Sequence, residues 1–127
     1  MEFQEKLINS IKRRYIHHSN VHDIYDDLKE KLYKLYEELE EFSFYGLEVE
    51  FEENDTSVKL SINGFYLLFE FINDDDPPFI QVIWGKENQE YSFDKIDAQR
   101  WSHPTEVARG FDLYLHRAFN DLLNELR

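Results

Sequence analysis

Along this chain the spacing of apolar residues changes from 3.6 to 2 and back to 3.6, and that double switch constrains the fold more than any other feature. Val21, Ile24, Tyr25, Leu28, Leu32, Leu35, Tyr36 and Leu39 recur at helical spacing and predict a helix over 21–42 with the acidic "EELEE" on its wet side. Directly afterwards "LEVEFE" alternates without error. Leu47, Val49 and Phe51 fall on one face and Glu48, Glu50 and Glu52 on the other, the pattern of a half-buried strand. Val58, Leu60 and Ile62 continue the alternation up to Asn63-Gly64, a hairpin turn in which both residues tolerate positive φ. "FYLLFEFI" and "FIQVIWG" read as central strands and "EYSFD" as a short fifth. Val107, Phe111, Tyr114, Leu115, Ala118, Phe119, Leu122 and Leu126 then restore the helical stripe.

Ahead of the long helix, Phe3, Leu7, Ile8, Ile11 and Tyr15 also recur at helical spacing, and "HHSN" interrupts them. Asn20 with Asp23 three residues on resembles a capping box, so two N-terminal helices are expected, joined as a hairpin. Gly110 falls inside the last stripe and weakens its first turns, which puts the firm start of that helix near Phe111. Ser102 or Thr105 is its expected cap. The expected class is α+β: two N-terminal helices, a four- to five-stranded antiparallel meander, and a C-terminal helix packed on the sheet. A chain of 127 residues with no linker or repeat is read as one domain, 1–127.

Charge is unevenly distributed. The net charge is −13. Residues 1–20 carry +2, residues 21–45 carry −5, residues 46–97 carry −10, and the remainder balances. Such an acidic middle suits a cationic partner and argues against direct nucleic-acid binding, which needs a basic face. No segment is long and apolar enough to span a membrane, no signal peptide is evident at the start, and cysteine is absent. A cytoplasmic protein without disulfides or thiolate metal sites is expected.

Motifs with a chemical mechanism are scarce. His17, His18 and His22 include an i, i+4 pair, but the expected helix break separates them and no HExxH pattern surrounds them. "RWSHPTE" places Arg100, Ser102, His103 and Glu106 close in sequence, but a triad requires a base oriented by a third group, and the stretch reads better as a helix start. No glycine-rich phosphate loop occurs. "INDDDPPF" supplies oxygens without calcium-loop spacing or its glycine. No catalytic residue, cofactor or metal is therefore expected. The acidic residues read instead as a partner surface: Glu48, Glu50, Glu52, Glu53 and Asp55 around the first strand, Tyr66 and Glu70 on the third, and Asp74, Asp75 and Asp76 in the turn after it. Tyr66, Leu68, Ile72 and Ile83 lie on the strand faces opposite Phe65, Phe69 and Phe71. Either a second helix covers them, as is usual for a central strand, or they form an exposed patch rimmed by acids, as protein-binding surfaces do.

With "LEVEFEEND" and "FEFINDDDPP" as its carriers, the chain resembles the immunity proteins of bacterial toxin systems, notably those of contact-dependent growth inhibition. The resemblance is one of overall character. It implies a cytosolic, non-enzymatic protein that binds and neutralises a cationic toxin domain, a nuclease above all. Two other classes share the acidity. One is a phage or plasmid nucleic-acid mimic that inhibits a nuclease. The other is an acidic secretion chaperone, whose α-β-β-β-α-β-β-α order requires a helix where "NDDDPP" leaves room only for a turn.

Overall fold

The computed structural model describes residues 2–75, 77–96, 101 and 103–127. Its elements run α1 (Glu2–Glu40), a 3-10 turn (Glu41–Tyr45), β1 (Val49–Glu53), β2 (Ser57–Ile62), β3 (Phe65–Ile72), β4 (Phe79–Lys86), β5 (Tyr91–Ile96) and α2 (Pro104–Leu126). The α+β class, the antiparallel sheet and the C-terminal helix are those read from the sequence, and the sheet has five strands.

The two expected N-terminal helices are one. α1 runs for 39 residues without interruption, about 58 Å at 1.5 Å per residue. "HHSN" contains neither glycine nor proline. His, Ser and Asn each cost only a few tenths of a kcal/mol more than the best helix formers, so they do not end a helix anchored downstream. Asn20 has no helix start to cap. The true end comes at Glu40, where the chain tightens into the 3-10 turn. Gly46, at φ 99°, closes that turn in the left-handed region, which costs glycine nothing.

The sheet is a meander in which each strand pairs antiparallel with its sequence neighbour, in the order β1-β2-β3-β4-β5. Asn63 and Gly64, at φ 51° and 85°, close the β2–β3 hairpin between the paired residues Ile62 and Phe65, as the Asn-Gly dipeptide predicts. The Asn63 carboxamide oxygen also accepts a hydrogen bond from the Glu48 N–H at 2.9 Å, tying the start of β1 to that turn.

Register fixes which side chains share a face. Phe51, Leu60, Leu67 and Trp84 form one row across four strands, and Val58, Phe69 and Val82 lie in the next. Both helices pack on this inner face. Tyr25 of α1 stacks on Phe71 with ring centroids 6.0 Å apart, and Tyr36 stacks on Phe51 at 5.5 Å. Phe111 and Tyr114 of α2 meet Phe69 at 6.3 and 6.4 Å, and Tyr114 meets Trp84 at 5.8 Å. The core is thus a single slab between two helices and one sheet face, with Leu28, Leu32, Leu60, Leu67 and Phe69 fully buried.

α2 also departs from expectation at its start. It begins at Pro104, with His103 as an N-cap that makes no side-chain bond. Thr105 therefore lies inside the helix, and Ser102 lies outside the described residues. Gly110 does not delay the helix. It is buried because the Trp101 indole lies against its Cα, and a Cβ there would collide with ring carbons of Trp101. The glycine is a packing requirement, and its propensity cost is offset by packing a partly buried indole against the helix.

Candidate interaction surface

The outer face of the sheet has no layer over it among the described residues. Alternation along β3 puts Phe65, Leu67, Phe69 and Phe71 inside and leaves Tyr66, Leu68, Glu70 and Ile72 half-exposed. The register continues these outward residues into rows. Tyr66, Gly85 and Tyr91 are aligned across β3, β4 and β5, as are Leu68, Ile83 and Phe93 and, one step further, Glu70, Gln81 and Lys95. Toward β1 the same rows run into Ser61 and Glu50, and into Lys59 and Glu52. The face is therefore graded. Tyr91 and Phe93 stand 59% and 67% exposed at the β5 edge, aliphatic side chains hold the centre, and carboxylates line the β1 edge.

Several local contacts shape the patch. Gly85 sits between the two tyrosines, and a Cβ there would press on the Tyr91 backbone and the Tyr66 hydroxyl. The missing side chain lets Tyr66 lie flat across β4. Burial, followed by the nearby Tyr91 and Glu87, pushes the Tyr66 hydroxyl pKa up, so it faces a partner as a neutral donor. The Lys59 ammonium lies 4.8 Å from the Tyr66 ring centroid, and the Lys95 ammonium 4.1 Å from that of Phe79. Such cation–π contacts hold two cations against the face, so it is mixed in charge rather than uniformly anionic.

The remaining acidic residues read from the sequence fall on other surfaces. Glu48 is exposed just before β1. Glu53 points to the helix side and pairs with Lys29 of α1, N to O 3.5 Å. Asp55 lies in the β1–β2 turn and Asp74 and Asp75 in the β3–β4 turn; all three are exposed. Strand alternation brings these two turns to the same end of the sheet, where the Phe71 N–H donates to the Thr56 carbonyl at 2.7 Å. Asp76 lies outside the described residues.

Asp26 of α1 joins this acidic end, a residue that strand-based reading passes over. The Tyr25 hydroxyl reports it. Burial, then the charges of Asp26, Glu53 and Asp55, push its pKa up to about 12, and it reaches toward the Asn54 carbonyl at 3.4 Å. Of the ten residues named as a partner surface, Glu48 stands just before β1 and Asp76 is outside the described residues; the other eight divide. Glu50, Glu52, Tyr66 and Glu70 share the open face; Glu53, Asp55, Asp74 and Asp75 belong to the adjoining end.

The histidines differ from expectation because α1 is continuous. His22 shares a helical face with Asp26, Nδ1 to carboxylate 3.2 Å, and lies edge-on to Phe71 at 5.5 Å. With Asp23 these residues offer three donor atoms within 4.8 Å of one another, all exposed, which neighbouring helix positions provide without any built site. Of "RWSHPTE", Arg100 and Ser102 lie outside the described residues. His103 and Glu106 are exposed at the start of α2.

No helix of the described residues is long and apolar enough to cross a membrane. Comparison with protein-family models, with curated proteins and with solved structures gave no match.

Proposed function

We propose that this protein is a cytosolic immunity protein that binds and neutralises a basic toxin domain, a nuclease being the best fit, and that it acts by occlusion rather than catalysis. The observation that supports this most is the open sheet face, where Tyr66, Leu68, Ile83 and Phe93 sit beside the carboxylates of Glu50, Glu52 and Glu70. Nuclease grooves are rich in lysine and arginine because they hold phosphates. A rigid sheet presenting carboxylates at fixed spacing suits such a groove. The acidic end with Asp26, Asp55, Asp74 and Asp75 adds long-range attraction that speeds encounter. The aromatic and aliphatic centre then supplies the anchors that slow dissociation. The uninterrupted β1–β5 meander differs from the strand–helix–strand order of the secretion chaperones and speaks against that alternative.

The test is affinity purification from the native cell with mass spectrometry of what co-elutes, followed by titration of this protein against the captured partner's activity. A basic toxin domain whose nuclease activity is abolished at one equivalent is the expected result. Capture of a restriction or CRISPR nuclease would move the reading to nucleic-acid mimicry. Absence of any basic partner would overturn both.

A further inference from the structure

The first half of α1 carries an apolar face that no described residue covers. Every residue from Glu2 to His17 is exposed. Burial begins only at Val21, where the helix meets the sheet. Yet Phe3, Leu7, Ile11 and Tyr15 form a continuous ridge with Ile8 beside it, and each is between 42% and 78% exposed. Because α1 is one rigid helix whose second half is fixed to the inner sheet face, this arm cannot fold back to cover its own outer face. A ridge of this length left in water marks an interface.

We infer that the arm docks on the same arm of a second copy, crossing it in antiparallel sense to form a two-fold dimer. Three features select that occupant. First, Phe3, Leu7, Ile11 and Tyr15 repeat every four residues along one ridge. Ridges of this i±4 kind interdigitate at a crossing of about −50°. Second, the arm is charge-polarised along its length. Glu2, Glu5 and Lys6 leave the tip at net −1, and Lys12, Arg13 and Arg14 form a basic collar of +3 near the body. Antiparallel crossing brings each acidic tip to the other copy's collar, with Glu5 facing Lys12 one turn either side of Ile8, and also opposes the helix dipoles. Parallel crossing would place acid on acid and base on base. Third, residues 1–20 are the only net-positive segment, at +2, on a chain of net −13. The strongly acidic bodies repel one another, and antiparallel arms hold them at opposite ends. An isologous contact of this kind closes at two copies and leaves the outer sheet face free.

The test uses the full chain in sedimentation equilibrium from 1 to 200 µM. The expected species has twice the 15.5 kDa chain mass. Leu7→Glu with Ile11→Glu keeps strong helix formers at exposed positions and should yield a folded monomer whose melting temperature no longer depends on protein concentration. Glu5→Lys should weaken dimerisation at least tenfold, and Glu5→Lys with Lys12→Glu should restore it. Because the chain has no cysteine, orientation can be read directly. Ile8→Cys, near the crossing point, should form an interchain disulfide readily, whereas Phe3→Cys should not. A wild-type monomer at 200 µM would overturn the proposal, as would a dimer that survives the double glutamate change. Equal crosslinking at Phe3 and Ile8 would overturn the antiparallel sense. A monomer that binds vesicles of three parts phosphatidylcholine to one part phosphatidylglycerol through the arm would assign it to lipid instead.

Discussion

Both faces of the sheet carry apolar side chains, and these meet opposite fates. Inside, Phe65, Leu67, Phe69 and Phe71 are buried under α1 and α2; outside, Tyr66, Leu68 and Ile72 of the same strand stay half in water. The difference lies in the supply of helices. Three separate helices could have covered both faces. Fusion of the first two, with half of the product directed off the sheet, leaves two helical segments, and both lie on one side. Apolar residues on the covered face are needed for folding. Those on the open face are available for recognition.

Substitutions can break that contrast. Phe69→Ala removes a fully buried ring that touches Phe111 and Tyr114 and should cost about 3–5 kcal/mol, read as a shifted urea midpoint with an unchanged slope. On the same inner side, Gly110→Ala forces Trp101 off α2 and should cost about 1–3 kcal/mol, the range for overpacking, together with a changed tryptophan emission. Across the sheet, Tyr91→Ser with Phe93→Ser, both more than half exposed, should lower stability by no more than about 1 kcal/mol in all, since exposed positions usually shift it by about 0.5 kcal/mol each. That pair should nevertheless release the partner. An open-face pair as costly as Phe69→Ala would mean that this face is structural after all.

The smallest effect sharpens the boundary between the two faces at β5. Asp94 accepts a hydrogen bond from the Tyr114 hydroxyl at 2.6 Å. That bond, joined by the Lys95 N–H and Arg117, holds its carboxyl below the usual range even though partial burial pulls the other way. Because the folded value is the lower one, the pair contributes stability above the unfolded pKa near 3.9. That contribution is lost as pH falls through the folded value. Asp94→Asn should lower stability slightly at neutral pH, leave the acid end nearly untouched, and so flatten the acid limb of a stability-against-pH curve.

Much of this was legible in advance. Alternation in "LEVEFE" and "FYLLFEFI" and the Asn63-Gly64 pair suffice for the meander, because strand period and turn chemistry are local. The fate of "HHSN" was not legible. A capping box gives the same signal whether or not the helix actually starts there, and only the anchoring of Val21–Leu32 on the sheet decides. Gly110 was misread for a related reason. Propensity describes a glycine in isolation, whereas this one is specified by an indole from Trp101. Coverage of Tyr66 and Leu68 was left open because a central strand shows the same sequence whether one or two helical layers flank it. Asp26 escaped notice because its neighbours at the acidic end come from β-turns distant in sequence.

The meander itself has a kinetic consequence. Every strand pairing in the sheet is made between sequence neighbours, the most distant being Phe65 with Lys86 in β3–β4. No strand waits for a remote partner, so the entropy of closing long loops is incurred only when the helices dock. Short-range topologies of this kind fold orders of magnitude faster than sheets with crossovers. The chain can therefore assemble its sheet hairpin by hairpin and acquire α1 and α2 as the final layer, and the open face is exposed from the first hairpin onward.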